Sequence, residues 1–206
     1  MRIREDYKLK KAEIKRRLLE FTEIWNSKPD SRVFAELCFC ICTPQSSAKK
    51  CWEAVSKLYV SGALFRGTAN HIAAVLKHFG VRFCNTKARR IVEARKYLPI
   101  KEKIDVMNLD WTRKWLVNHI KGMGYKEASH FLRNIGVGEK FAILDRHVIR
   151  NLVRLNVIPD MPKSHLTAKR YLEIEKQMRQ FAKKSRIPMP ELDLLFWSME
   201  TGSVFK

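Results

Sequence analysis

Two residues have the type and the setting to do covalent chemistry. Lys126 opens an apolar-periodic run, Tyr125-Lys126-Glu127-Ala128-Ser129-His130-Phe131-Leu132, that reads as a helix over about 125–135. An amine at a helix start meets the positive end of the backbone dipole, which disfavours its charged form. A neutral lysine is a nucleophile and can form a Schiff base. The same side chain would serve as well as a cation on a phosphate, and residue type and place leave both roles open. Asp145 follows the apolar run Phe141-Ala142-Ile143-Leu144 and opens RHVIRNLVRL. Aspartate is a favoured N-cap. A fixed carboxylate also stabilises the positive charge that develops as a glycosidic bond breaks. One oxygen can cap while the other does chemistry, so these roles coexist. A nearby anion would favour the charged amine and oppose the helix-end effect on Lys126.

Between these residues and the preceding helix lies LVNHIKGMGYKEASHFLRNIG, residues 116–136. An apolar helix ending at Ile120 meets Lys121, Gly122, Met123, Gly124 and Tyr125, and a second helix follows. Two glycines two apart allow a tight reversal and a close backbone approach. The amides of the next helix start have no intrahelical partner, so the segment is suited to hold a DNA phosphate. The competing reading is a plain helix–helix turn that uses glycine for geometry. Phosphate contacts fix register and carry no sequence information.

The elements that must position these residues are helical nearly throughout. Periodicity predicts helices over about 6–26, 31–42, 46–60, 69–79, 85–97, 110–120, 125–135, 145–155, 166–184 and 190–201, with no strand-like alternation. Ser31, Asp110 and the Asn85-Thr86 pair are the expected caps. Gly80 and Gly136 fall where a left-handed stop is wanted, and Pro99 and Pro159 are expected to end helices. The 206 residues carry 41 Lys plus Arg against 21 Asp plus Glu, a formal charge of +20 that draws polyanions. No stretch approaches the length needed to span a bilayer, and the N-terminal sequence lacks the apolar core of a secretory signal. This makes nucleic acid the stronger partner and an intracellular place the expectation. The five cysteines, Cys38, Cys40, Cys42, Cys51 and Cys84, are odd in number and lack CxxC spacing. They are expected to be reduced, mostly buried thiols, with no disulfide framework and no metal.

The hairpin KGMGYKEASHFLRN followed by AILDRHV resembles the signature of the helix-hairpin-helix DNA glycosylase superfamily. With the ending ELDLLFWSMETGSVFK, it is most similar to the archaeal-type (type-2) 8-oxoguanine DNA glycosylase/AP lyases. The resemblance covers nearly the whole chain. It implies an all-α, endonuclease III-like fold of two helical lobes flanking a DNA-binding cleft. One lobe would span 31–135 and include the hairpin at 116–136; the other would join 1–30 to 136–206. It implies excision of 8-oxoguanine by Lys126 through a Schiff base, with β-elimination of the strand and Asp145 supporting the sugar cation. No cysteine follows Cys84, so the iron–sulfur cluster common in the wider superfamily has no ligands and no cofactor is expected.

A base acted on in a duplex must be flipped out and the gap filled. Superfamily members place an amide side chain at a helix junction for this, and Gln45 holds the similar position, in Thr43-Pro44-Gln45 where the type-2 group is expected to carry a TAN-like segment. A helix cap or turn residue is the alternative. Phe83 and Trp197 are candidates to stack on the base, or else ordinary core residues. The terminal carboxylate of Lys206 is a candidate acceptor for the hydrogen that distinguishes 8-oxoguanine from guanine; a frayed terminus is the alternative. The segment Val81–Arg90 is expected near DNA, and Arg146 and His147 as supporting or phosphate residues. The expected partner is double-stranded DNA with damaged bases or abasic sites, bound by a monomer in the cytoplasm or nucleoid. The competing functions are a glycosylase for another damaged base and a non-catalytic helix-hairpin-helix DNA-binding module.

Overall fold

A computed structural model describes residues 2–162 and 166–206. Every regular element among them is helical. The α-helices are α1 (Arg2–Ser27), α2 (Asp30–Cys42), α3 (Ala48–Val60), α4 (Ala63–Arg66), α5 (Ala69–His78), α6 (Cys84–Ala94), α7 (Leu109–His119), α8 (Tyr125–Asn134), α9 (Arg146–Arg154), α10 (Ala168–Ser185) and α11 (Met189–Thr201). Short 3₁₀ turns cover Arg95–Tyr97 and Ile100–Lys103. Among the described residues no helix is long and apolar enough to cross a membrane, and no group of His, Cys, Asp and Glu is arranged to hold a metal. The chain forms two compact units, Ile24–Phe131 and the pair Met1–Glu23 with Leu132–Lys206. Their boundaries fall inside α1 and α8.

The unit Ile24–Phe131 is organised around α2. Every residue from Val33 to Cys42 is buried; Glu36 among them is paired with Arg32 at 2.8 Å, and the rest of the run is apolar, as expected of a helix buried on all sides. This is why cysteines two apart, which point in different directions on a helix, are all buried. Burial pushes the Cys38 and Cys42 thiols well up and Cys51 to about 11. Cys84 alone among the five is partly exposed, and all are free thiols. Helix α2 packs against α3 and α6, and α5 packs along α6. The Lys101 ammonium donates to the carbonyls of Trp25 and Lys28, 2.8 Å each, at the C-terminal end of α1, where a cation meets orphan carbonyls and the negative end of the dipole.

In the other unit α11 packs against α9 and α10. The buried Arg133–Asp193 pair, 2.9 Å apart, ties the end of α8 to α11. The stop at Gly136 is left-handed, with φ +77°; Val137 N–H bonds the Leu132 carbonyl at 3.0 Å. A Cβ at Gly136 would lie 2.4 Å from Thr22 Cα. Gly136→Ala therefore meets both a disfavoured φ and unyielding backbone. It should lower unfolding free energy by roughly 2–4 kcal/mol, read as a lower guanidinium midpoint.

Several expected boundaries move. The N-cap of α2 is Pro29, not Ser31, whose hydroxyl lies 3.3 Å from Tyr59 Oη. The N-cap of α7 is Asn108, which accepts from Trp111 N–H; Asp110 lies inside the first turn. The N-cap of α6 is Phe83, ahead of Asn85-Thr86. Pro159 does not end α9: the helix stops at Arg154, and Asn156, at φ +54°, turns the chain while Val157 N–H bonds the Leu152 carbonyl. Helix α4 is too short to leave a periodic signal.

Candidate functional site

In the unit Ile24–Phe131 the hairpin is built on two buried apolar anchors, Ile120 and Met123, which hold the reversal to the core. Met123 N–H closes it on the Ile120 carbonyl at 3.1 Å, and Gly122 sits at φ +88°. The Arg90 side chain of α6 lies against Gly122, so a Cβ there would meet its Cδ and Nη1 at 2.7 Å. The basic α6 and the hairpin thus share one surface. Lys121 is exposed, with its ammonium 3.1 Å from Glu93. The Tyr125 ring carries the buried Arg113 guanidinium 5.2 Å from its centroid.

Two of the amides expected to face a phosphate are already engaged. Met123 N–H is used by the reversal, and Gly124 N–H donates to Glu127 Oε2 at 3.1 Å. That carboxylate closes the start of α8 as the glutamate of a capping box does, a role legible from its place three residues after Gly124. Lys126 follows at the first turn. Its side chain is about one-fifth exposed (22%), and its ammonium is 3.7 Å from Glu127 Oε1. It is also close enough to Cys51 for its charge to bear on that thiol.

Gln45 and Phe83 stand on two further loops of this unit. Ser46 N–H bonds the Thr43 carbonyl at 3.1 Å, which makes 43–46 a turn, with Gln45 at φ +55° and exposed. Positive φ at the third position is the mark of a type II turn, and proline is favoured at its second, here Pro44. Gln45 is not a helix cap, since Ser47 holds that place for α3. Phe83 sits at φ +57° and is 56% exposed, so it is no core residue; the Arg82 guanidinium lies 5.3 Å from its ring centroid. Lys87, one turn into α6, was missed. It is 2% exposed, and its ammonium donates to the carbonyls of Cys42 and Pro44 and to Ser46 Oγ at 2.6, 2.8 and 2.9 Å. The available signal was a lysine in register with Ala88, Ile91 and Ala94 on the apolar stripe of α6.

In the unit that holds α9 to α11, Asp145 caps α9: Oδ1 accepts from Val148 N–H at 2.8 Å. The cap is made through one carboxylate oxygen, and the side chain is half-buried. The extended run before it is pinned by α10. Tyr171 Oη donates to the Ala142 carbonyl at 2.6 Å and accepts from Leu144 N–H at 3.3 Å, while Glu175 Oε2 accepts from Ala142 N–H at 2.9 Å. These two residues fix where Asp145 stands, and nothing in the local sequence marked them. Arg146 is exposed; His147 lies with its ring edge toward Trp197, centroids 6.5 Å apart. Trp197 is half-exposed, not core, and is also beside Phe205 at 6.0 Å. Lys206 is buried, not frayed, with its ammonium 5.9 Å from the Phe21 ring centroid. Glu200 accepts from Arg150 and Arg154, which brace α9 against α11 and hold its carboxyl below the usual range despite burial.

A family model described as 8-oxoguanine DNA glycosylase matches residues 14–187. A curated 8-oxoguanine DNA glycosylase/AP lyase of Fusobacterium nucleatum is 45% identical over 211 residues, covering 99% of this chain and 96% of that one. The crystal structure of the 8-oxoguanine DNA glycosylase of Thermotoga maritima superposes with a TM-score of 0.91 at 33% identity, covering 100% of this chain and 97% of the other. The 8-oxoguanine glycosylase/lyase of Methanocaldococcus jannaschii, in complex with a 15mer DNA containing 8-oxoguanine, superposes with a TM-score of 0.90 at 36% identity over 100% of both chains.

Proposed function

Because the chain belongs to the 8-oxoguanine DNA glycosylase family, we propose that it excises 8-oxoguanine from double-stranded DNA and cleaves the resulting abasic site. The observation that carries this reading is the full-length match to glycosylase/lyases, met by a hairpin lysine and a helix-capping aspartate in the family's order.

Lys126 Nζ attacks C1′ of the flipped nucleotide, and the C1′–N9 bond breaks with its electron pair leaving on the base. Asp145 supports the positive charge that grows on the sugar. Loss of a proton from the amine and opening of the ring give a Schiff base. Removal of a C2′ proton then expels the 3′ phosphate by β-elimination. The hairpin grips backbone through Lys121, Gly122 and Tyr125 and the open amides at the start of α8; Met123 anchors the reversal and Gly124 shapes it. Gln45 fills the gap left by the flipped base. Phe83 and Trp197 offer stacking faces, each worth about 1–3 kcal/mol per stacked base, and Lys206 belongs to the base pocket. The enzyme acts as a monomer within the cell.

Incubating the protein with an 8-oxoguanine·C duplex and borohydride tests this, because reduction makes a lysine Schiff base permanent. A covalent adduct and free 8-oxoguanine are expected. Tight binding without an adduct would mean a DNA-binding module, and an adduct only with another damaged base would move the substrate. With 41 cationic side chains, affinity should fall steeply with salt; several phosphate contacts imply a loss of about 10³-fold or more between 50 and 200 mM, measured by anisotropy.

A further inference from the structure

We propose that Lys87 is a positioning residue for base flipping: with Ser46 it locks Gln45 and Phe83 into one rigid two-pronged element. The inference rests on the glycosylase reading above and assigns a role to a side chain buried within its own unit.

The two prongs have the same unusual backbone. Gln45 and Phe83 are exposed, non-glycine residues at φ +55° and +57°, one at the turn before α3 and the other at the start of α6. Left-handed backbone at such residues persists only where the surroundings over-determine it. Lys87 supplies that determination from below. Its backbone N–H bonds the Phe83 carbonyl at 3.0 Å, in the first turn of α6. Its ammonium reaches the other loop, donating to the Cys42 and Pro44 carbonyls and to Ser46 Oγ. Ser46 Oγ in turn accepts from Arg82 N–H at 3.0 Å, the residue before Phe83. One lysine and one serine therefore cross-link both loops at the base of both prongs.

The ammonium has three donors, and all three are used. Its acceptors are neutral oxygens, so the buried cation gains no ion-pair energy from them. Burial pulls its affinity for the proton down. A turn needing only closure could use an asparagine or serine side chain at lower desolvation cost. A lysine at this place is explained by reach: a single ammonium on α6 ties three points on the 42–46 loop. A stiff pair of prongs matters because the work of unstacking a base is done on a duplex that pushes back.

Lys87→Met, which keeps the length and removes the donors, tests this. Three readouts are compared with the unaltered protein: thermal melting, borohydride trapping on a duplex with a preformed abasic site, and single-turnover release of 8-oxoguanine with 2-aminopurine beside the lesion as an unstacking reporter. The expected result is a folded protein whose trapping falls less than about threefold while release slows about tenfold or more, with a matching loss of the fluorescence rise. A lesion in single-stranded DNA, which needs no unstacking, should narrow the gap. Equal losses in trapping and release, or no loss in either, would overturn the positioning role. If Lys87→Met does not fold, Ser46→Ala carries the test: a selective loss of release and fluorescence supports the proposal, and wild-type behaviour overturns it. Failure of the unaltered protein to release 8-oxoguanine would instead overturn the glycosylase reading on which the role rests.

Discussion

Lys126→Gln is expected to abolish the borohydride-trapped adduct and to slow base release and strand cleavage by roughly four orders of magnitude or more. Removal of a covalent nucleophile has costs of that order, because the residual rate comes only from binding and electrostatics. Glutamine keeps most of the side-chain volume and remains polar beside Glu127, 3.7 Å from the native ammonium. The first turn of α8, closed by the Gly124–Glu127 contact, should therefore stand. Binding to an 8-oxoguanine duplex should weaken only slightly, since one cation among 41 is lost. Gel analysis under borohydride, with anisotropy on the same duplex, separates the two effects. Persistent adduct formation would identify a different nucleophile. Loss of binding in parallel with cleavage would return Lys126 to a phosphate contact.

Asp145→Asn should give the second largest effect and distinguish a cap from a catalyst. Asparagine caps helices about as well as aspartate, so its amide oxygen can keep the 2.8 Å bond from Val148 N–H. Stability should change by less than about 1 kcal/mol. Asparagine cannot supply the negative charge that balances a developing sugar cation, so single-turnover release should fall by about 10²–10³-fold. An enzyme that loses stability but not rate would show that Asp145 only caps. Asp145→Ala, which removes both functions, should lose the rate and also about 1 kcal/mol of stability.

The sequence made some of this legible for identifiable reasons. The apolar run before Asp145 and the cap that follows are local features, and both stand in the structure. Gly136 could be read because a left-handed stop after a helix has a strong residue preference. The cysteines could be read as mostly buried because a reduced thiol behaves as a small hydrophobe, and four of the five are buried. Other features were hidden because their causes are not local. Phenylalanine has no preference for left-handed backbone, so Phe83 as the N-cap of α6 depends on what lies beneath it. Asp105, Asn108 and Asp110 are all cap formers within six residues, and only the fold selects Asn108 for α7. The contacts of Tyr171 and Glu175 with residues 142–144 span about thirty positions. Lys87 is a different case: a charged residue in an apolar stripe is visible as an anomaly, but its acceptors more than forty positions earlier are not.

The packing of α2 has a chemical consequence. Oxidants that convert guanine to 8-oxoguanine also convert thiolates to sulfenic acids and mixed disulfides. A protein that acts on such DNA works where that chemistry is active. Cys38, Cys40, Cys42 and Cys51 are buried, and burial pushes the Cys38, Cys42 and Cys51 thiols up, Cys51 to about 11, so the four offer little access and those three little thiolate at neutral pH. The partly exposed Cys84 beside Phe83 is the one sulfur of the five open to alkylation or peroxide. Redox damage would thus enter at the foot of one prong and leave the centre of the fold inert.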